Sequence, residues 1–219
     1  MKIFLDTANV ATIAQWASSG LIDGVTTNPT HLSKENKAPR AVIEEIVALL
    51  PEGEISVEVT EQAPEAVYQQ AQKIARIAEN IVVKIPCASQ YYSVINRLLD
   101  EGICINITLV FSVTQALMMA KLGVAMISPF LGRLDDIDAH GLQTIENIRA
   151  MLDTYEYETE LLAASVRSVE DISKLMNIGV DSITLPIEVF EKSLDHPLTS
   201  KGMELFGSDW KKLGISQFP

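Results

Sequence analysis

One lysine and two carboxylates lie in or at the end of short apolar runs, where a charged side chain is unexpected. Lys84 interrupts IVVKIP, Asp6 ends KIFLD, and Glu58 lies in EISVEV. Burying an unpaired ammonium in such a run costs several kcal/mol, so Lys84 needs either a partner or a chemical role. A desolvated lysine that has lost its proton attacks carbonyl carbon, and two acids in different environments could divide the accompanying proton transfers.

Each of these residues also has a structural interpretation. Lys84 could pair with Glu58 or Asp6 inside the fold, without any chemistry. Asp6 stands in DT just before a helical segment, so it could cap a helix or anchor a loop. The residue types therefore predict Schiff-base chemistry at Lys84 and leave an ion-paired core as the alternative.

Polar residues follow several other apolar runs. Arg133 and Arg167 both follow late runs, and a guanidinium matches phosphate oxygens in a two-pronged geometry. Ordinary surface salt bridges are the alternative, but a chain of net charge −12 must concentrate its cations to bind an anionic substrate. The hydroxyl and amide side chains in comparable positions are Thr26, Asn28, Asn106, Thr108, Ser128 and Ser165.

The runs that carry these residues alternate with helical segments along the whole chain. They lack the alternation of half-exposed strands, as expected for strands buried on both faces. Eight such β–α units in 219 residues favour a closed (β/α)8 TIM barrel, one domain spanning 1–219 with 197–219 as a C-terminal helical tail. The runs are residues 2–6, 23–28, 54–59, 80–86, 104–110, 124–130, 160–165 and 182–186.

Helix signals separate the runs. Asn9, Ser112 and Ser168 are placed as N-caps, and glycines such as Gly123 and Gly179 are placed just past helix ends. Because barrel enzymes carry their catalytic groups at the C-terminal ends of strands, the polar residues at the run ends should meet at one mouth. The predicted helical segments are 9–20, 38–50, 64–80, 89–102, 112–123, 141–155 and 168–179.

Composition argues against several classes of function. A net charge of −12 without a basic stripe disfavours binding to nucleic acid or to a membrane surface. Cys87 and Cys104 suggest no disulfide framework, and the chain has no signal-peptide pattern or membrane-length apolar run, so a cytoplasmic setting is expected. His31, His140 and His196 are not spaced as metal ligands, and we read them as having no chemical role.

Seven segments in order resemble the transaldolase family. They are FLDTA, GVTTNPT, VVKIP, NITLVFS, ISPFLGRLDD, AASVRS and SITLP, and they run over essentially the whole chain. The length resembles the small transaldolases and the similar fructose-6-phosphate aldolases. The resemblance implies a class I aldolase-type mechanism on sugar phosphates, with no metal or organic cofactor.

The resemblance also implies an assembly and a set of catalytic roles. Small family members form rings of five or ten subunits, so we expect a homo-oligomer, with the tail packed outside the barrel or on a neighbouring subunit. Lys84 matches the lysine that forms the Schiff base, and Asp6 matches the acid/base for a substrate hydroxyl. Glu58 and Thr108 match the pair that holds a catalytic water.

The remaining candidate residues match substrate contacts of the family. The two amides match groups that hold substrate hydroxyls and the intermediate, and the serines and arginines match contacts at the phosphate end. The predicted contacts are Asn28, Thr26, Asn106, Ser128, Phe130, Arg133, Ser165 and Arg167.

Four positions separate the two branches of the family. The aldolase branch has Gln at the position of Glu58, Tyr at Phe130, an apolar residue at Asn106 and Lys at Arg167. At all four this chain is similar to the transaldolases, so we expect transfer of a dihydroxyacetone unit between sugar phosphates of the pentose phosphate pathway.

The alternatives are a fructose-6-phosphate aldolase, which releases free dihydroxyacetone, and an inactive barrel that serves as an assembly module. A phosphosugar isomerase or another barrel aldolase would place the key acid and lysine on different strands. The positions of Asp6, Glu58 and Lys84 in the first, third and fourth runs argue against these two classes.

Overall fold

A computed structural model of the chain describes residues 1–214 and contains a closed barrel of parallel strands. The strands are β1 (Lys2–Asp6), β2 (Gly24–Thr26), β3 (Glu54–Glu58), β4 (Ile81–Pro86), β5 (Ile105–Val110), β6 (Met126–Pro129), β7 (Glu160–Ala163) and β8 (Ser182–Leu185). Each strand pairs with the next along the chain, and β8 pairs with β1 to close the ring. The predicted TIM barrel is confirmed, and every predicted run contains one strand.

Helices lie between the strands and surround the barrel. They are α1 (Val10–Ala17), α2 (Pro29–Leu32), α3 (Pro39–Leu49), α4 (Pro64–Ala75), α5 (Tyr92–Asp100), α6 (Val113–Leu122), α7 (Leu131–Asp135), α8 (Gly141–Thr154), α9 (Val169–Ile178), α10 (Ile187–Leu194) and α11 (Pro197–Lys212), with a 3-10 turn at Ser89–Tyr91. No helix within residues 1–214 is both long and apolar enough to cross a membrane.

The predicted capping residues are confirmed. The side chains of Asn9, Ser112 and Ser168 each accept a backbone N–H in the first turn of α1, α6 and α9. Gly123 and Gly179 end α6 and α9 with a left-handed backbone, which a side chain would disfavour. These caps set where each helix begins and ends, and so where the loops at the barrel mouth start.

Two apolar layers hold the barrel together. Most buried hydrophobic residues pack between the strands and the surrounding helices. A smaller cluster contains Phe4, Met126, Leu162 and Ala164, on β1, β6, β7 and the residue that follows β7. Because these side chains fill the middle of the barrel interior, the polar side chains at the C-terminal ends of the strands cluster at the mouth.

Three helices were not predicted. The helices α2 and α7 have four and five residues, too few to show a periodic apolar pattern. Both follow strands directly, so they shape the mouth of the barrel. The third is α10, which follows β8 and precedes the C-terminal helix.

The predicted C-terminal helix is present as α11. No residue of α11 is buried, and Phe206 is 73% exposed, so the barrel leaves much of this helix uncovered. Its packing on a neighbouring subunit stays a prediction. Residues 215–219 of the predicted tail lie outside the described residues.

Candidate active site

Strand register brings three candidate residues side by side. Glu58 of β3 pairs with Lys84 of β4, and Lys84 pairs in turn with Asn106 of β5. Residues paired across parallel strands point to the same face of the sheet, so these side chains share the barrel interior. Thr108 follows Asn106 by one strand repeat and pairs with Pro86.

Lys84 is buried and has two polar partners. Its Nζ lies 3.0 Å from Glu58 Oε2 and donates to the carbonyl oxygen of Thr27 at 3.1 Å. The side chains of Lys84 and Glu58 are only 6% and 13% exposed. The ion pair foreseen by the structural interpretation is therefore present, and it also gives the amine an adjacent carboxylate that can take its proton.

Lys2 provides an internal comparison at the other end of the barrel. Its Nζ lies 2.6 Å from Glu54 and 2.9 Å from Glu160. Burial by itself lowers the pKa of Lys2, but the two carboxylates raise it far above the ordinary value. Lys2 is thus held as an ammonium that ties β1 to β3 and β7, and it is not a candidate nucleophile.

Asp6 lies at the C-terminal end of β1 with its Oδ1 contacted twice. Thr26 donates to Oδ1 at 3.0 Å, and His31 Nε2 lies 3.4 Å from the same oxygen. Burial by itself raises the pKa of Asp6, but the contact and charge of His31, the charge of Lys84 and the Thr26 hydrogen bond lower it below its usual range. Asp6 is therefore a carboxylate. It does not cap α1, whose cap is Asn9, so the helix-cap interpretation is wrong.

The interior amide of Asn106 is fixed by two hydroxyls. Asn106 donates to Ser56 Oγ at 3.1 Å and accepts from Ser128 Oγ at 2.6 Å. The Ser128 proton is thus donated to Asn106, and the predicted contact of this serine with phosphate stays a prediction. Thr108 Oγ1 is buried and has no hydrogen-bond partner among residues 1–214.

Asn28 ends the second run with its amide turned to the loop. Its Oδ1 accepts the backbone N–H of His31 at 2.9 Å, so Asn28 caps α2. The predicted contact with substrate hydroxyls would therefore use its Nδ2.

Both predicted arginines lie near the cavity, in different environments. Arg133 is exposed, and its guanidinium carbon lies 5.0 Å from the centre of the Phe130 ring. Arg167 donates two hydrogen bonds to Asp136, one of them at 2.6 Å, with both side chains about half exposed. This pair is a surface salt bridge of the kind that sequence analysis left as the alternative, and an exposed pair of this kind is weak enough to exchange partners.

Gly132 makes room for Arg167. Its backbone N–H donates to the Ser165 carbonyl at 3.0 Å, and a Cβ there would lie only 2.3 Å from Arg167 Nε. Ser165 itself has a left-handed backbone with φ of 58°, an uncommon conformation for a residue with a side chain. The helix α7 and the β7–α9 loop therefore pack closely where the arginine lies.

These residues surround one cavity at the C-terminal ends of the strands, with a volume of about 520 Å³. The structure brings together all twelve candidate residues on its wall; their individual roles stay predictions. They are Asp6, Thr26, Asn28, Glu58, Lys84, Asn106, Thr108, Ser128, Phe130, Arg133, Ser165 and Arg167.

Two features of the site were missed by sequence analysis. His31 lines the cavity and touches Asp6, although its sequence context indicates no chemical role. Its position directly after the GVTTNPT segment was a usable signal. Ser56 hydrogen-bonds Asn106 from inside β3, and its place in an apolar run was the only signal.

Comparison with known proteins places the chain in a family. The sequence model described as Transaldolase/Fructose-6-phosphate aldolase matches residues 3–217. A probable transaldolase of Lactiplantibacillus plantarum is 47% identical over 217 residues, covering 99% of this chain and 100% of that protein. A probable transaldolase of Caulobacter vibrioides is also 47% identical, over 216 residues and 99% of each chain.

One solved structure is similar to this chain in fold but not in sequence. A mutant flavocytochrome b2 with pyruvate bound matches with a TM-score of 0.60 at 12% identity, covering 85% of this chain but 56% of that one. The barrel is thus shared with an otherwise dissimilar enzyme, while the sequence matches extend from end to end. The chain belongs to the transaldolase/fructose-6-phosphate aldolase family.

Proposed function

We propose that the protein is a cytoplasmic transaldolase that moves a dihydroxyacetone unit between sugar phosphates through an imine on Lys84. The observation that carries this proposal is a buried lysine in contact with Glu58, in a cavity that it shares with the carboxylate of Asp6. Three cationic side chains line this cavity, Lys84, Arg133 and Arg167, against two carboxylates, in a chain of net charge −12. That local excess of positive charge supports an anionic substrate.

Imine formation requires Lys84 as a free amine. Glu58, 3.0 Å away, accepts the ammonium proton, and the amine then attacks the C2 ketone of sedoheptulose 7-phosphate or fructose 6-phosphate. Loss of water from the adduct needs a proton delivered to the departing hydroxyl. Glu58 supplies it through a water held with Thr108, whose buried hydroxyl has no partner among residues 1–214.

Carbon–carbon cleavage uses Asp6. The carboxylate removes the C4 hydroxyl proton as the C3–C4 bond breaks, and the electron pair of that bond passes into the protonated imine. An aldose phosphate leaves and a three-carbon enamine stays on Lys84. The reverse steps with glyceraldehyde 3-phosphate or erythrose 4-phosphate as acceptor complete the transfer.

A coupled assay tests this function. Release of glyceraldehyde 3-phosphate from fructose 6-phosphate is measured with and without erythrose 4-phosphate. Dependence on the acceptor, with formation of sedoheptulose 7-phosphate, supports a transaldolase. Borohydride reduction with substrate should attach a sugar fragment to Lys84, and the absence of any adduct with several ketose phosphates would support the inactive barrel instead.

Phe130 distinguishes the proposed transaldolase from the second candidate function, a fructose-6-phosphate aldolase. A tyrosine hydroxyl at this position would put a proton donor beside the enamine, whereas the phenyl ring protects it. We expect Phe130→Tyr to raise release of free dihydroxyacetone roughly 10-fold relative to transfer. Phe111→Tyr is the matched control, because Phe111 packs 6.0 Å from Phe130 outside the cavity wall. An unchanged ratio in Phe130→Tyr would mean that this ring does not select between the branches.

Arg167 is proposed to bind the substrate phosphate, exchanging its partner Asp136 for the ligand. Gly132→Ala should push the guanidinium away, since the new Cβ would lie 2.3 Å from its Nε; the same Cβ would lie 2.7 Å from the Ser165 carbonyl oxygen, so this loop must shift as well. Loss of one charged hydrogen bond should raise KM for fructose 6-phosphate about 10-fold or more. An equal rise in KM for unphosphorylated dihydroxyacetone would contradict a phosphate-specific role.

The helix α11 is proposed to reach a neighbouring subunit in a pentamer or decamer. Its apolar residues Leu198, Leu205 and Phe206, and Leu213 just after it, are all more than half exposed. Removing the chain from Pro197 onward should lower the number of subunits in the assembly, measured by light scattering on a sizing column. Lys201→Ala, on the same helix, should leave this number unchanged. An unaltered number of subunits after truncation would rule out α11 as the contact.

A further inference from the structure

The strand β5 is irregular where it reaches the cavity. Its register with β6 is regular up to Ile107 and has shifted by one residue at Val110. The two residues between them, Thr108 and Leu109, oppose a single residue of β6, which is the arrangement of a β-bulge. Leu109 has a left-handed backbone with φ of 56°, which is unfavourable for a residue with a side chain.

Hydrogen bonds on both sides of β5 hold the bulge in place. The Cys87 N–H, just after β4, donates to the Thr108 carbonyl at 2.8 Å. The Phe130 N–H, just after β6, donates to the Val110 carbonyl at 3.2 Å. Leu109 lies between these two anchored residues, so the barrel imposes its left-handed backbone against its own preference.

The bulge changes which apolar side chain faces the cavity. In a regular strand the side chains alternate, so Thr108 and Val110 would share the inner face and Leu109 would point towards the helices. In the structure Val110 is fully buried in the larger apolar cluster, while Leu109 lines the cavity together with Thr108. An apolar side chain therefore comes directly after the hydroxyl that is proposed to hold the catalytic water.

Leu109 and Phe130 belong to the same part of the cavity wall. Both line the cavity, and the Phe130 N–H bonds to the residue that follows Leu109. Beyond the bulge, the ring of Phe111 packs edge to face against Phe130, with 6.0 Å between the ring centres. The end of β5 thus contributes apolar groups beside Thr108 and beside the Phe130 ring.

We propose that Leu109 is a specificity-determining residue, which limits the access of water to the three-carbon enamine on Lys84 and so favours transfer over hydrolysis. This inference rests on the proposed transaldolase function and deepens it. Hydrolysis requires the former C3 of the enamine to take a proton and water to add to C2 of the resulting imine. The C–N bond then breaks, which releases dihydroxyacetone and the Lys84 amine. An apolar side chain offers neither a proton to the enamine carbon nor a hydrogen bond to a second water.

Leu109→Asn tests this role with little change in the backbone. Asparagine is similar in size to leucine and adopts the left-handed conformation more readily, so the bulge should be kept. After a single turnover of fructose 6-phosphate without acceptor, borohydride quenching at intervals follows the three-carbon adduct on Lys84. This adduct should decay roughly 10-fold faster in Leu109→Asn than in the unmodified protein, with matching release of free dihydroxyacetone.

Two further variants of Leu109 separate the apolar side chain from an effect of asparagine itself. Leu109→Ala removes most of the side chain without adding a polar group, so the decay should again be faster. Leu109→Met keeps an apolar side chain of similar volume, so the decay should stay slow. Met118→Asn, at an exposed apolar residue of α6, is the control for the substitution. The six-carbon adduct should form in every variant, which shows that imine formation is intact.

Each outcome has a distinct meaning. An unchanged decay in Leu109→Asn or in Leu109→Ala, with the imine still trapped, overturns the role of Leu109 and leaves the proposed function standing. The role of Leu109 is equally overturned if Leu109→Met or Met118→Asn decays as fast as Leu109→Asn. Rapid release of dihydroxyacetone from the unmodified protein, or failure to trap an imine there, overturns the proposed function and the role of Leu109 with it.

Discussion

Replacing Lys84 with Arg is expected to abolish transfer, by roughly 10⁴-fold or more, because a guanidinium cannot form the imine. Arg is the informative substitution because it keeps a cation beside Glu58, 3.0 Å from the present Nζ. A neutral replacement would leave a nearly buried carboxylate unpaired, and breaking such a pair costs about 3–5 kcal/mol in stability. The measurements are transfer rate and borohydride-dependent mass increase.

Lys2→Arg is the matched control for this experiment. Lys2 is also a strand lysine paired with carboxylates, but it lies at the opposite end of the barrel. Its variant should transfer normally and show the same adduct as the unmodified protein. If Lys84→Arg still yields a stable adduct at another lysine together with near-normal transfer, the assignment of the nucleophile is wrong.

The second large effect is expected for Asp6→Asn. The amide keeps the size of the side chain and can still accept from Thr26, but it cannot take a hydroxyl proton. Loss of a positioned base should slow cleavage by about 10²–10⁴-fold. Because imine formation precedes cleavage and uses Lys84 and Glu58, the variant should accumulate the six-carbon imine. Mass spectrometry after borohydride reduction measures that accumulation directly.

Asp23→Asn serves as the comparison for Asp6. Asp23 accepts the backbone N–H of Ile3 at 2.7 Å and lies before β2, away from the cavity wall. The Asp23→Asn variant should lower the free energy of unfolding and leave the rate of cleavage nearly unchanged. If Asp6→Asn instead lost imine formation and cleavage together, its carboxylate would act before the carbon–carbon step. The proposed roles of Glu58 in imine formation and Asp6 in cleavage would then be wrong.

The four positions by which the sequence resembles transaldolases more than fructose-6-phosphate aldolases all lie on the wall of this cavity. Glu58 and Asn106 are paired to Lys84 on either side, so both branch-specific positions contact or flank the candidate nucleophile. Phe130 and Arg167 line the same wall further out. Differences at these positions are therefore expected to affect the lifetime of the enamine and the binding of phosphate more than the barrel itself.

Local residue pattern is enough to predict the strands, most of the helices and the wall of the site. Buried parallel strands are read from runs of apolar residues, and each run contains its strand. Charged and polar residues at run ends must face the mouth once the barrel closes, because parallel strands end at one side. For this reason Lys84, Asp6 and Arg167 can be selected before any contact is known.

How these groups contact one another depends on the tertiary structure. The approach of His31 to Asp6 depends on how the four-residue α2 turns after β2, and so short a helix has no periodic signal. The contact of Arg167 with Asp136 and the space above Gly132 arise where the short helix α7 meets the β7–α9 loop. Such contacts join residues far apart in the chain through irregular backbone, whose path is set by packing and not by local residue pattern.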